Sequence, residues 1–94
     1  MNDLPSLELI ESVHSFPGRY TFKVIGRGDQ GFVARVVAAV RDELAGSEDP
    51  PFSVRETSGG KHMAVTVDAM IFRSDDVLRV YRRLQTMAGL VMLW

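Results

Sequence analysis

Two stretches of this chain alternate their side chains with a period of two. Each leads into an apolar stripe with the period of a helix, and that ordering restricts the fold more than any other feature. In Arg19–Ile25, Tyr20, Phe22 and Val24 fall on one face, and Thr21, Lys23 and Ile25 on the other. In Lys61–Met70, Met63, Val65, Val67 and Ala69 oppose His62, Ala64, Thr66 and Asp68. Both read as half-buried strands.

The first strand ends in Gly26-Arg27-Gly28-Asp29-Gln30-Gly31, three glycines in six positions, with Asp29 placed to cap the helix that follows. Phe32, Val33, Val36, Val37, Val40 and Leu44 form that helix's stripe, and Gly46 is expected to end it in a left-handed conformation. Phe52–Thr57 alternates again and joins the next strand through Ser58-Gly59-Gly60 in a hairpin. Ser74 is the expected cap of a second amphipathic helix carrying Val77, Val80, Tyr81 and Leu84, with Asp75 and Asp76 in its first turn. Leu90–Trp94 is a short last strand.

The order β-α-β-β-α-β predicts an α+β fold, the ferredoxin-like split βαβ arrangement. Right-handed crossovers put both helices on one face of a four-stranded antiparallel sheet, with the first and third strands in the middle. Tyr20, Phe22, Val24, Met63, Val65 and Val67 should meet the helices. Thr21, Lys23, Arg55, His62, Thr66 and Asp68 should lie on the face left open. Residues 16–94 form the expected single domain, and residues 1–15 an N-terminal extension, partly helical or disordered, before Phe16-Pro17-Gly18 stops any helix.

Composition limits the function classes. The 11 Lys+Arg against 12 Asp+Glu give a net charge of -1, without the basic surplus that a dedicated nucleic-acid binder normally carries. There is no cysteine, so disulfides and thiolate chemistry are excluded. His14 and His62 have no third ligand at metal spacing, and no metal or cofactor is expected. Neither a secretory leader nor a membrane span is legible, which makes a cytoplasmic protein the default expectation.

Phe16-Pro17-Gly18-Arg19-Tyr20-Thr21-Phe22-Lys23-Val24-Ile25-Gly26 resembles the F-P-x-x-[FY]-x-[FY]-K-V-x-G opening of the YbeD-like family of small bacterial proteins. The hairpin Ser58–Val67 resembles that family's S-x-G-x-Y-x-S-V-x-V stretch, with His62 and Ala64 replacing its tyrosine and serine. Met92 falls at the methionine of its closing V-x-M-V-L segment, and Trp94 stands in place of the last leucine. The resemblance implies a ferredoxin-like fold, related to regulatory ACT-type domains, with no established activity.

Two groups of residues are candidates for function. Asp29-Gln30-Gly31-Phe32-Val33 resembles the D-x-P-G-L-L turn with which ACT domains hold a small carboxylate, though Gln30 replaces its proline. Arg27, Gly28, Asp29, Gly31 and Phe32 are therefore the expected ligand-binding set, for an amino acid or related carboxylate. Lys23, His62, Asp68, Met92 and Trp94 are the expected interaction surface, with Lys23 and Asp68 able to pair across strands. Trp94 could instead cover the helix layer.

These features favour a non-enzymatic regulatory or adaptor domain, acting by protein contacts and small-ligand binding. It would be a homodimer, with a further protein partner open. Two alternatives remain. Gly26–Arg35 resembles the acylphosphatase signature G-R-V-Q-G-V-x-F-R with one residue inserted, but the only asparagine to position a water is Asn2. An RNA-binding module would need aromatic residues on the inner strands of the open face, where none falls.

Overall fold

The computed structural model describes residues 4–28 and 31–94. Its elements are α1 (Leu7–Val13), β1 (Gly18–Arg27), α2 (Phe32–Glu43), β2 (Phe52–Glu56), β3 (His62–Ile71), α3 (Ser74–Gln85) and β4 (Leu90–Leu93). The strands form one sheet in the order β2-β3-β1-β4, every pairing antiparallel. This is the expected ferredoxin-like arrangement, preceded by the additional helix α1.

The core follows from the alternation. Phe22, Val24, Val65 and Val67 have no exposure, and they meet Phe32, Val36 and Val40 of α2 and Val77, Val80 and Leu84 of α3. Both helices therefore cover the same side of the sheet. Ile10 of α1 is also buried in this core. The serine ahead of α1, Ser6, accepts the N–H of Leu9 at 3.1 Å, which closes the first turn of this short helix.

Gly26 shows how β1 and α2 are joined. The β1–β4 register shifts between Ile25 and Gly26, and the ring of Phe32 lies directly over Gly26. A Cβ added there would sit 2.0 Å from the ring, so only glycine leaves room for the residue that starts α2.

Three expected helix signals fall elsewhere. The cap of α2 is Gly31, with φ of 89° and no side-chain bond, while Asp29 lies outside the described residues. The residue ahead of α3 is Arg73, which places Ser74 inside the helix with its hydroxyl donating to Glu11 of α1. At the end of α2 the left-handed residue is Ala45 (φ 54°) rather than Gly46, whose N–H bonds Arg41 O at 3.0 Å. At α3 the extended Arg73 already occupies the cap position, which leaves the Ser74 hydroxyl free to reach Glu11.

β2 alternates in register but not in burial. Phe52 lies opposite Val67 and Val54 opposite Val65, on the helix side, yet the whole strand is exposed. The stripe of α2 points at β1 and β3, so the outer strand lies beyond its cover.

Candidate functional site

The face away from the helices consists of cross-strand rows fixed by the register. One row runs Ser53–Thr66–Lys23, and Lys23 exchanges both backbone hydrogen bonds with Trp94, at 2.9 and 2.8 Å. The adjacent row runs Arg55–Ala64–Ile25–Met92. Trp94 therefore belongs to the open face and does not cover the helices. Its ring centroid lies 6.0 Å from Lys23 Nζ, within cation–π range. Trp94 and Met92 are each nearly half exposed.

The structure thus brings Lys23, Met92 and Trp94 together. It keeps Asp68 apart from Lys23. Asp68 stands opposite Thr21, whose hydroxyl donates to Oδ1 at 2.6 Å, so the expected Lys23–Asp68 pair gives way to the residue directly across the ladder. His62 is half-buried opposite Arg27 at the far end of the sheet. A hollow of about 250 Å³ lies over Ala64, walled by Lys23, Arg55, Ser53 and Thr66. Its floor is open because Ala64 is the one small side chain in its row.

The β1–α2 turn is differently arranged. The N–H of Arg27 donates to Gly89 O at 2.9 Å, and that of Gly28 to Lys61 O at 3.0 Å. Both amides are thus spent on joining the turn to neighbouring loops. Phe32 is fully buried, so it offers this side its backbone alone. Asp29 and Gln30 lie outside the described residues. Arg35, the other arginine of the acylphosphatase-like segment, lies over the Phe32 ring and donates to Ala88 O at 3.4 Å. Asn2 is likewise outside the described residues.

A cleft of about 630 Å³ escaped the sequence reading because it forms where α1 docks beside the start of α3. Glu11, His14, Arg73 and Asp75 line it. Its polar groups are largely engaged with one another: Ser74 with Glu11, and Arg73 with Asp75 at 3.5 Å. The ring of His14 packs 4.6 Å from that of Tyr20 and 6.3 Å from Phe16. Of the arginines around α3, Arg79 and Arg83 hold Glu43 of α2, at 3.7 and 3.0 Å, so these cations fasten the two helices together. Among the described residues no group of three His, Asp or Glu is placed to hold a metal ion, and no helix is long and apolar enough to cross a membrane.

The chain is similar to a UPF0250 protein of Shewanella oneidensis, 28% identical over 79 residues that cover 84% of this chain and 88% of that protein. It is 30% identical to a UPF0250 protein of Shewanella amazonensis over 74 residues, 79% of this chain and 82% of that one. Neither name carries an activity. A family described as protein of unknown function (DUF493) matches residues 11–93. With the match running from α1 through β4 and including both motifs of the YbeD-like resemblance, the chain belongs to the DUF493 family of bacterial proteins of unknown function.

Proposed function

We propose that this domain is a non-enzymatic regulatory or adaptor module that acts by binding, and that it pairs with a second copy through the edge of β4. The observation that carries this reading is the contrast between the two edges of the sheet. β2 is preceded by Pro50-Pro51 and bears Arg55 and Glu56, features that discourage a foreign strand from adding to an edge. β4 has neither proline nor charge. Because the Lys23–Trp94 pair exchanges both bonds, Leu93 turns its N–H and C=O outward, away from β1. Val91 is half exposed on the same edge, beside a hollow of about 300 Å³ that Gln85 and Met87 help to line.

Antiparallel pairing of two β4 strands would satisfy these groups and extend the sheet to eight strands. The open faces would then lie side by side on one surface. Sedimentation equilibrium at about 100 µM tests this, and a dimer is expected for the wild-type chain. Val91→Lys, which puts a charge into the pairing edge, should be monomeric with an unchanged far-UV spectrum. A monomeric wild-type protein at that concentration removes the self-pairing.

A further inference from the structure

The open sheet face is basic, although the chain as a whole is slightly acidic. Arg19, Lys23 and Arg27 recur at every fourth residue of β1 and so project from one face, roughly 13 Å apart. Arg55 joins them from β2, across Ala64 from Ile25. None of the four has an ion pair with any described residue. The only carboxylate among the strand residues of this face, Asp68, is held by Thr21. Four cations thus face outward against one carboxylate. Most arginines of the helix side behave differently: Arg41, Arg73, Arg79 and Arg83 have carboxylate partners, and Arg82 is the exception on α3.

The apolar part of the face adjoins the cations. Ile25, Met92 and Trp94 occupy the β4 half of the two central rows, while Arg55, Ser53 and Thr66 occupy the β2 half. Arginine, methionine and tryptophan are enriched where proteins meet, and tryptophan and arginine dominate binding hot spots. The hollow over Ala64 is smaller than the usual pocket for a free small ligand and suits a side chain delivered by a larger partner.

We infer that the open sheet face binds an acidic, amphipathic segment of another protein. Its carboxylates meet Lys23 and Arg55, and its apolar side chains lie on Ile25, Met92 and Trp94. A second copy stacked face to face does not fit, because it would oppose one basic surface to another. A nucleic acid fits less well, since the inner strands offer no aromatic ring to stack a base and Trp94 stands alone at the β4 side. The inference rests on the binding reading above, but it concerns the face and not the β4 edge.

The test uses three fluorescein-labelled probes with the full chain at low and high salt: a synthetic peptide of Glu-Glu-Leu-Leu repeats, poly-L-glutamate and polyuridylate. The Glu/Leu peptide should bind best, with affinity falling as salt rises. As the only tryptophan, Trp94 should report binding by its own emission. Lys23→Glu and Arg55→Glu should each weaken binding about tenfold or more, and Trp94→Ala by about tenfold. Arg82→Glu, on α3, should leave it unchanged. If a glutamate variant fails to fold, Lys23→Gln and Arg55→Gln should still weaken binding severalfold.

The inference is overturned if the peptide does not bind at low salt. It is equally overturned if poly-L-glutamate binds as well as the peptide and Trp94→Ala has no effect, or if polyuridylate binds more tightly. Sedimentation of the same samples reports separately on the β4 pairing, so either idea can fail alone.

Discussion

Tyr20 and Tyr81 share the most consequential polar contact in the core. Their hydroxyls are 2.9 Å apart and both residues are buried, and no buried side-chain polar atom among the described residues lacks a partner. Such a pair adds little net stability, but breaking it from one side strands the other hydroxyl. Tyr81→Phe should therefore cost about 1–2 kcal/mol in urea denaturation. The double variant with Tyr20→Phe should lose about 1 kcal/mol less than the two single losses added together. Strict additivity would show that the two hydroxyls do not depend on each other. Burial, followed by the Tyr20 hydrogen bond, raises the Tyr81 pKa far above its ordinary value of 10.0. A raised pKa favours the protonated, folded form, so stability is fully present below pH ~10 and declines as the pH climbs beyond it. Tyr81→Phe should flatten that alkaline decline.

At the scale of elements, the end of α2 offers a direct test of backbone strain. Ala45 adopts φ of 54°, where its Cβ crowds the following carbonyl. The closing bonds run from Ala45 N–H to Asp42 O at 3.2 Å and from Gly46 N–H to Arg41 O at 3.0 Å, a Schellman pattern shifted one residue from the glycine. Ala45→Gly should raise stability by about 0.5–1 kcal/mol, read as an upward shift in Tm. A neutral or negative result would mean that the gain in unfolded-state freedom offsets the relieved strain.

The strands were legible in the sequence because alternation in β1 and β3 decides which side chains face the helices, and register transmits that choice across the sheet. From it, Thr21, Lys23, Arg55 and Asp68 could be assigned to the open face. Three features lay beyond that logic. The side of Trp94 depends on a register shift between Ile25 and Gly26 that no pattern of residue types announces. The docking of α1 depends on the single buried Ile10 and on a contact between Glu11 and Ser74, more than sixty residues apart. The Lys23–Asp68 pairing was misplaced because an open face permits several partners, and the exact row, Thr21 with Asp68, is settled only by the ladder.

Taken as a whole, the molecule sorts its charge. Its net charge of -1 combines a helix side where Arg41, Arg73, Arg79 and Arg83 are tied to Glu43, Asp49, Asp75 and Asp76 with a sheet face whose cations repel one another. At low ionic strength, where the Debye length reaches about 30 Å at 0.01 M salt, unpaired like charges at this spacing lower the stability of the compact state. A face kept for binding therefore carries a cost in folding. Arg55→Ser removes one of these charges without touching the core, since all of β2 is exposed. In urea at low ionic strength the variant should be more stable by roughly 0.3 kcal/mol, a difference that vanishes in high salt. The same substitution should weaken the Glu/Leu peptide. A gain in stability coupled to a loss of binding is what a functional cation leaves behind. A loss of both would instead make Arg55 a structural residue and break the link between the charge of this face and its purpose.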